Sequence, residues 1–234
     1  MFNFKNHTVI ITGAAGNLGV ATARAFLRAE ASLALVDRSP DRLGALIPEL
    51  VNTPWHAIVG AVDLLDADAT QRAIQGIQEK FGHIDVLVNT VGGYRGGTPA
   101  YEISPADLDF MLDLNLRTVF NTCRAVTPFM LAQGSGRIIN VAARSGVAGV
   151  KNQSAYSIAK SGIIRLTESL SAELREAGIN VNCLLPSAMD TPQNREAMPK
   201  ADPSRWTPPE AVAEVILFLA SDAARAVHGA AIPV

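Results

Sequence analysis

Short apolar runs alternate with longer amphipathic stretches along this 234-residue chain. The short runs are rich in Val, Ile and Leu with little polar alternation, which is typical of strands buried on both faces of a sheet. The predicted strands are Thr8–Thr12, Ser32–Val36, His56–Val62, Ile84–Asn89, Arg137–Val141, Ile179–Leu185 and Ala230–Val234. The predicted helices between and after them are Leu18–Glu30, Asp41–Val51, Ala67–Phe81, Pro105–Gln133, Ser154–Ala177 and Pro209–Ala220.

The regular alternation of strands and helices determines the predicted fold class. Repeated β–α units with buried strands predict an α/β architecture, because helical crossovers connect parallel strands. We predict a single doubly wound Rossmann-type domain over residues 1–234. Its sheet is expected to be seven-stranded and mostly parallel, with helices on both faces.

Two segments interrupt the alternation, and both follow predicted strands. Val91–Thr98 contains four glycines, and Pro186–Pro209 is rich in proline. Ligands bind at the carboxyl edge of the sheet in such folds, so both segments are candidate binding loops. A plain surface loop is the alternative for each. We predict that residues 186–209 form a lid over a substrate site.

Composition and charge narrow the class of partners. Apolar residues make up 48% of the chain, charged residues 18%, and the net charge is −2, which indicates a compact globular protein without preference for nucleic acid or anionic membranes. The four histidines show no ligand spacing, so no metal site is predicted. Cys123 and Cys183 are predicted to be buried free thiols in a reducing compartment. A strand starting by Thr8 leaves no room for a signal peptide, and the apolar runs are too short to span a bilayer, so a cytoplasmic protein is expected.

A turn with three glycines connects the first predicted strand to the first helix. It reads Thr12-Gly13-Ala14-Ala15-Gly16-Asn17-Leu18-Gly19. Glycine permits a tight turn and close approach of backbone N–H groups to a pyrophosphate at the helix N-terminus. Asp37 ends the second strand, where a carboxylate can accept both ribose hydroxyls of NAD and would repel the extra phosphate of NADP. Arg38 follows and can in principle meet that phosphate, so NAD(H) is favoured and NADP(H) is not excluded.

Tyr156 and Lys160 form the most informative pair of polar residues. A spacing of four places both on one helical face, about one turn apart. A phenol has a pKa near 10, and a neighbouring ammonium would favour its ionised form and lower that pKa. The pair is therefore a candidate general acid–base. Two unrelated residues on a surface helix are the alternative.

Together these motifs resemble the short-chain dehydrogenase/reductase family over essentially the whole chain. The matching pieces are Thr12-Gly13-x5-Gly19, Asp37, Asp63-Leu64, Asn89-Thr90-Val91-Gly92, Asn115, Tyr156-x3-Lys160 and Pro186-x4-Thr191. The resemblance implies an NAD(P)-dependent oxidoreductase that acts on a small molecule and forms a homodimer or homotetramer.

The resemblance also implies roles for individual residues. Cofactor contacts are implied for Gly13, Asn17, Leu18, Gly19, Asp37, Arg38, Asp63, Leu64, Asn89, Gly92, Tyr156, Lys160, Pro186 and Thr191. Among them, Asp63 and Leu64 would contact adenine and Thr191 would hold the nicotinamide amide. Lys160 would also bind the nicotinamide ribose, and Asn115 would anchor a water in a proton relay behind it.

The sequence departs from the family pattern at three places. Asn17 replaces the middle glycine of the turn, and Asn tolerates left-handed backbone, so the turn is expected to survive. Thr90-Val91 replaces the usual Asn-Ala, which is expected to be a mild change. The catalytic serine expected thirteen residues before Tyr156 is Ala143, with Ser145 as a candidate replacement. One missing oxyanion donor commonly costs about two to three powers of ten in rate.

A second resemblance suggests a substrate. Residues 190–208 and the loop Gly92–Gly97 are similar to dihydropteridine reductases, which belong to the same superfamily, prefer NADH and also lack the serine. A quinonoid ring needs no serine at a carbonyl oxygen, and Tyr94 or Trp206 would stack on it. A pteridine-like substrate is therefore the favoured hypothesis. Ala143 is expected to lie beside this substrate.

Two other functions stay open. A carbonyl or alcohol substrate, such as a 3-oxoacyl thioester, is the alternative enzyme activity. A non-catalytic NAD(H)-binding sensor is the alternative from another class.

Overall fold

A computed structural model describes residues 2–50 and 53–234. Its strands are β1 (Thr8–Thr12), β2 (Ser32–Val36), β3 (His56–Val59), β4 (Val86–Asn89), β5 (Gly136–Val141), β6 (Ile179–Leu185) and β7 (Ala231–Pro233). Its helices are α1 (Asn17–Arg28), α2 (Pro40–Leu46), α3 (Ala67–Phe81), α4 (Pro105–Leu112), α5 (Thr118–Gln133), α6 (Ser154–Leu174), α7 (Pro192–Ala197) and α8 (Pro209–Ala220).

The strands form one seven-stranded sheet in the order β3-β2-β1-β4-β5-β6-β7. Every neighbouring pair is parallel. The chain winds from β1 outward to β3, then returns to continue from β4 on the other side of β1. This reversal between β1 and β4 is the position where ligands bind in doubly wound sheets. The predicted fold class is confirmed, and the sheet is parallel throughout.

Apolar side chains from both faces of the sheet form the core. One face of the sheet packs against α1 and α8 through residues such as Phe26 and Ile216. The other face packs against α3, α5 and α6 through residues such as Ile74, Val126 and Ile163. Burial on both faces explains why the central strands consist of nearly continuous apolar residues.

Local signals account for both boundaries of α3. The Asp66 carboxylate caps α3 by accepting from the backbone N–H groups of Asp68 and Ala69, both at 2.9 Å. Gly82 ends the same helix in the left-handed conformation, which an L side chain adopts only at a cost. Caps of this type place helix ends within a residue or two of the predicted bounds.

Several predicted elements differ from the structure, and the largest differences are in one strand and two helices. The predicted strand His56–Val62 ends at Val59. The predicted helix Asp41–Val51 ends at Leu46 and is followed by a 3₁₀ turn over Pro48–Leu50, and Val51 lies outside the described residues. The predicted helix Pro105–Gln133 is interrupted by a π-helical turn over Asp113–Arg117. No helix in residues 2–50 and 53–234 is long and apolar enough to cross a membrane.

Candidate active site

The glycine turn after β1 is shaped by two close approaches. Gly13 has φ +66°, and a Cβ built there would lie 2.9 Å from the backbone nitrogen of Val91. A Cβ at Gly19 would overlap the carbonyl oxygen of Gly13, so α1 packs directly on the turn. A side chain at either position would collide with the neighbouring backbone and force the turn open. These contacts support the predicted phosphate-binding shape.

Asn17 does not need the left-handed conformation that its substitution for glycine was expected to require. It is the first residue of α1, and its backbone is not among the positive-φ positions. Its exposed side-chain amide donates to Oε1 of Gln193 at 2.8 Å. Asn17 therefore connects the glycine turn to helix α7.

A first cavity of about 440 Å³ opens beside the glycine turn, at the carboxyl ends of β1, β2 and β4. Its lining includes the predicted residues Gly13, Asp37, Arg38, Asp63, Leu64 and Gly92. Arg42, Phe110, Asp113, Leu114 and Thr118 also line it, and the sequence pattern did not mark them. They come from α2 and from the region around the π-helical turn, which the tertiary structure brings to this edge.

Asp37 holds the two loops that border this cavity. One carboxylate oxygen accepts from the backbone N–H of Ala15 at 3.0 Å, and the other accepts from that of Ser39 at 3.0 Å. Asp37 therefore also caps the end of β2. It is compatible with ribose binding, because a carboxylate accepts about four hydrogen bonds.

The segment around Asp63 and Leu64 is held from α5. The Asp63 carboxylate accepts from the backbone N–H of Leu65 at 3.1 Å. The buried side chain of Asn121 donates to the carbonyl oxygen of Leu64 at 2.8 Å. Asn121 was not predicted, because a single polar residue on an amphipathic helix carries no spacing signal.

A second cavity, also about 440 Å³, shares Thr90 and Gly92 with the first. The predicted residues that line it are Leu18, Gly92, Tyr94, Ala143, Ser145, Tyr156, Lys160 and Pro186. Thr90, Arg144, Gln153, Ser187, Met189, Asn194 and Met198 also line it, and no role was predicted for them. Gln153 precedes Tyr156 by three residues, so helical spacing was a signal that pointed to it. The two cavities lie on either side of the point between β1 and β4 where the strand order reverses.

Tyr156 lies half-buried at the start of α6, against the aromatic ring of Tyr94. The two ring centroids are 5.1 Å apart and the planes are nearly perpendicular. The pKa of the Tyr156 phenol is raised to about 12. Burial is the larger cause, and electrostatic repulsion from Tyr94 is the smaller one. The phenol therefore keeps its proton at neutral pH.

Lys160 is buried one turn further along α6. Its ammonium donates to the carbonyl oxygen of Val141 at 3.0 Å and lies 5.7 Å from the centroid of the Tyr156 ring. Burial lowers the pKa of Lys160 to about 8. The pKa of Tyr156 was expected to fall beside Lys160 and instead rises, because burial of the phenol is the larger effect.

Asn115 lies inside the π-helical turn and is fully buried. Its side-chain amide donates to the carbonyl oxygens of Gly93 and Met111, both at 3.1 Å, and its oxygen accepts from the backbone N–H of Gly93 at 3.1 Å. A Cβ at Gly92 would lie 3.0 Å from Asn115 Oδ1 and 3.2 Å from Lys160 Nζ. Asn115 thus lies behind Gly92 and Gly93, on the side where Lys160 also approaches Gly92, and its role in a proton relay stays a prediction.

The loop after β5 places Ala143 and Ser145 at the second cavity. Ala143 is buried with extended backbone, and a 3₁₀ turn over Arg144–Gly146 follows it. A Cβ at Gly146 would lie 2.8 Å from the backbone of Lys160, so the turn packs tightly on α6. Ser145 is therefore held near Tyr156 by the fold, two residues after the position of the missing serine.

The segment after β6 covers one side of the second cavity. Thr191 is buried and caps α7, its hydroxyl accepting from the backbone N–H of Asn194 at 3.2 Å. Trp206 does not line the cavity, contrary to prediction. The neighbouring Thr207 pairs with Met189 in a β-bridge, which ties this segment to the chain after β6. Asn194 and Met198, on and after α7, line the cavity instead.

Asn89 also differs from its predicted position. It is buried in the sheet and lines neither cavity. Its amide donates to Asn140 Oδ1 at 2.9 Å, and its oxygen accepts from the hydroxyls of Thr12 at 3.1 Å and Thr122 at 2.7 Å. Its neighbour Thr90 lines both cavities in its place.

Within the described ranges 2–50 and 53–234, no three His, Cys, Asp or Glu side chains are arranged to hold a metal ion. Cys123 and Cys183 are both buried and reduced.

Comparison with known proteins decides the family. A family model described as short chain dehydrogenase matches residues 7–202. The chain belongs to the short-chain dehydrogenases. Among relatives of this family, a 3-oxoacyl-[acyl-carrier-protein] reductase of Thermotoga maritima is 33% identical over 228 residues, covering 94% of this chain and 92% of the relative. A D-threitol dehydrogenase of Mycolicibacterium smegmatis is 34% identical over 239 residues, covering 98% and 91% respectively.

A solved structure of a NAD⁺-bound xylitol dehydrogenase superposes on this short-chain dehydrogenase with a TM-score of 0.90 at 26% identity, covering 99% of this chain and 98% of the other. The family and this neighbour indicate a nicotinamide cofactor. The residues present fit such a dinucleotide, since the glycine turn borders a first cavity that contains Asp37, and a second cavity, which contains Tyr156, shares Thr90 and Gly92 with it. The resemblance to dihydropteridine reductases is not supported by these relatives.

Proposed function

We propose that this protein is an NAD(H)-dependent oxidoreductase that interconverts a carbonyl and an alcohol on a small molecule. The observation that carries the proposal is the half-buried Tyr156 beside the buried Lys160, in a cavity that shares Thr90 and Gly92 with the one at the glycine turn. The relatives named above as a 3-oxoacyl reductase and a D-threitol dehydrogenase support the carbonyl or alcohol substrate over the pteridine-like one.

The acid–base pair is arranged for proton donation in the direction of reduction. When bound, the nicotinamide supplies the hydride to the carbonyl carbon. Tyr156 donates its proton to the carbonyl oxygen, because a pKa of about 12 keeps the phenol protonated until that oxygen gains negative charge. Lys160 supplies positive charge beside the resulting phenolate, and Asn115 holds the backbone of Gly93, which lines the same cavity. Oxidation of the alcohol reverses these steps.

Asp37 supports NADH over NADPH. Its carboxylate lies in the first cavity, where it would repel a phosphate on the adenosine ribose. Arg38 and Arg42 line the same cavity and work in the opposite direction. We expect the effect of the Asp37 carboxylate on cofactor choice to exceed that of the two arginines, because two backbone N–H groups hold the carboxylate in position.

We further propose that Ser145 replaces the missing serine as a hydrogen-bond donor to the substrate oxygen. It lines the second cavity with Tyr156, and the packing of Gly146 on Lys160 fixes its turn. In the same proposal, residues 186–209 act as the lid, since Asn194 and Met198 border the cavity.

Purified protein assayed with NADH and NADPH against ketones, 3-oxoacyl thioesters, polyols and a quinonoid dihydropterin tests the proposal. We expect turnover of at least one carbonyl or alcohol, with Tyr156→Phe reducing kcat by about two powers of ten or more. Dihydropterin turnover without carbonyl turnover contradicts the proposed substrate. Tight NADH binding without any turnover, unchanged by Tyr156→Phe, supports the sensor instead.

A pair of variants tests the role of Ser145. We expect Ser145→Ala to lower kcat for carbonyl reduction by about tenfold or more, because one donor to the developing oxyanion is lost. Ala143→Ser in that background should restore at least part of the rate. If Ser145→Ala leaves kcat unchanged while Ala143→Ser raises it about tenfold, the wild-type enzyme works without this donor.

A further inference from the structure

The second cavity has an unbalanced set of charges. Of the nineteen described residues that line it, two are cationic, Arg144 and Lys160, and none is acidic. Lys160 is buried, and its ammonium is held by the carbonyl oxygen of Val141. Arg144 is exposed at the cavity and belongs to the loop that carries Ala143 and Ser145. A charged group of a substrate in this cavity therefore meets positive charge.

Arg144 also differs from the other arginines nearby. Arg95, in the loop after β4, pairs with Asp107, and Arg195, in α7, pairs with both carboxylate oxygens of Asp190 at 2.6 and 2.8 Å. Within residues 2–50 and 53–234, the guanidinium of Arg144 has neither an ion pair nor a hydrogen bond, whereas its backbone N–H donates to the carbonyl oxygen of Pro186 at 3.3 Å. The backbone is thus tied between the loop after β5 and the start of the lid, while the five donors of the side chain are available.

We propose that Arg144 is the specificity residue of this enzyme, selecting carbonyl and alcohol substrates that carry an oxyanion, a carboxylate or a phosphate. A guanidinium matches such groups with two parallel hydrogen bonds, and pairing is stronger in a cavity partly screened from water. Arg144 lines the same cavity as Ala143 and Tyr156, so an oxyanion that it binds occupies that cavity together with the reacting oxygen. The proposal rests on the proposed function and names the substrate class for the same site.

The test compares each acid with its neutral counterpart. Oxo acids with the ketone two to five carbons from the carboxylate are assayed with NADH against the matching primary amides, and hydroxyacetone phosphate is assayed against hydroxyacetone. We expect kcat/KM for at least one oxyanion to exceed that of its neutral partner by about tenfold or more. The carboxylate and phosphate series distinguish the two sources of the anion.

Variants assign the preference to Arg144. Arg144→Gln should abolish the preference while leaving kcat/KM of the neutral partners within about twofold, and Arg144→Lys should restore part of it. Lys151→Gln is the matched control, because Lys151 is an exposed cation near this loop that does not line the cavity. If wild-type protein handles neutral partners as well as anions at every length, or if Arg144→Gln keeps the preference, the inference is overturned.

A binding measurement separates this inference from the proposed function. Calorimetry with NADH-bound protein uses unreactive alkanoates, alkyl phosphates and the corresponding alkanamides. Oxyanion binding that Arg144→Gln weakens about tenfold, without turnover on the whole panel, would support the anion site and contradict the proposed reaction. If neutral ketones are turned over and no oxyanion binding depends on Arg144, the proposed reaction is supported and the anion site is contradicted.

Discussion

At the scale of single residues, burial acts in opposite directions on the two members of the acid–base pair. It raises the pKa of Tyr156 to about 12 and lowers that of Lys160 to about 8. The charged form is the disfavoured one in each case, since both groups leave water. The phenol therefore stays protonated at neutral pH, as the proposed proton donation requires. Burial of the charged lysine lowers the stability of the fold.

Lys160→Met should therefore make the protein more stable and less active. The buried ammonium is replaced by an apolar chain of similar length, and we expect the free energy of unfolding at pH 7 to rise by about 2 kcal/mol. Urea unfolding of both proteins measures the difference. Lys151→Met, at an exposed position, should change it by less than about 0.5 kcal/mol. A less stable Lys160→Met variant would contradict the prediction.

The pH dependence of that gain follows from the lowered pKa of Lys160. Below pH 8 the ammonium is charged in the folded and unfolded states, so burial of the charge has its full cost. Above the ordinary lysine value of 10.5 it is neutral in both states, and the cost disappears. The advantage of Lys160→Met should hold below pH 8 and decrease steadily as the pH rises toward 10.5. A gain that is equal at pH 7 and pH 10 would mean that the charge is not its cause.

Asp37→Asn should relax the choice of cofactor. The amide removes the charge that opposes a ribose phosphate and keeps one oxygen, which can accept from only one of the N–H groups of Ala15 and Ser39. We expect the ratio of kcat/KM with NADH to that with NADPH to fall about tenfold, equivalent to ~1.4 kcal/mol. Asp41→Asn, an exposed carboxylate on α2 outside the cavity, is the control and should leave the ratio unchanged. An unchanged ratio for Asp37→Asn would show that other groups select the cofactor.

At the scale of elements, the π-helical turn in the long helix positions the site. The extra residue per turn over Asp113–Arg117 brings Asn115 inward against Gly93, and it brings Asp113 and Leu114 to the first cavity. Such bulges are often found at functional sites. Apolar periodicity predicts the surrounding helix but not the bulge, because one inserted residue changes the pattern only slightly.

Asn115→Ala tests this arrangement. Three backbone groups, the N–H and carbonyl of Gly93 and the carbonyl of Met111, lose their buried partner. We expect the free energy of unfolding to fall by about 2–3 kcal/mol and kcat to fall about tenfold, because the wall shared by both cavities loosens. Urea unfolding and initial-rate assays measure the two effects.

Arg117→Gln provides the comparison within the same turn. Arg117 forms an exposed ion pair with Asp113, and such pairs contribute about 0–1 kcal/mol. Its loss should leave kcat near the wild-type value. If Asn115→Ala is equally harmless, the side chain of Asn115 does not support the site.

At the scale of the whole molecule, a row of polar side chains crosses the sheet just below the cavities. Thr12, Asn89, Asn140 and Cys183 are register partners on four successive strands. The Asn140 amide donates to Thr167 on α6 at 3.0 Å, and its oxygen accepts from Asn89 at 2.9 Å. This network links the strand ends that carry the site to the helix that carries Tyr156.

Asn140→Leu should show how much the network contributes to stability. The apolar side chain has similar size but leaves the amide of Asn89 without this partner in the core, and we expect a loss of about 2–4 kcal/mol. The melting temperature and urea midpoint measure it. Gln75→Ala, which removes an exposed hydrogen bond to Glu79 on α3, should change either value little. A loss below about 1 kcal/mol would mean that the network relaxes around the substitution.

Much of the fold could be predicted from sequence because its signals are local and repeated. Burial on both faces makes the strands β1, β2 and β4 largely apolar runs, and glycine positions mark the turn at Gly13. Motif spacing likewise located Asp37, Tyr156 and Lys160, since each motif lies within one strand end or one helical turn. Asn89 and Trp206 were predicted to contact cofactor and substrate, and neither lines a cavity. The reason is that no local sequence signal gives the direction of a polar or aromatic side chain near a site.

The sequence by itself determined the order of elements, the parallel sheet, the family and the Tyr156–Lys160 pair, because periodicity and short-range spacing are properties of neighbouring residues. Only the tertiary structure decided the environment of that pair. Burial reverses the expected pKa shift of Tyr156, and the π-helical turn brings Asn115 behind Gly92. The proposed role of Arg144 likewise depends on the tertiary structure. Asp107 and Asp190 pair with Arg95 and Arg195, and contacts between distant segments place Arg144 in the lining of the cavity.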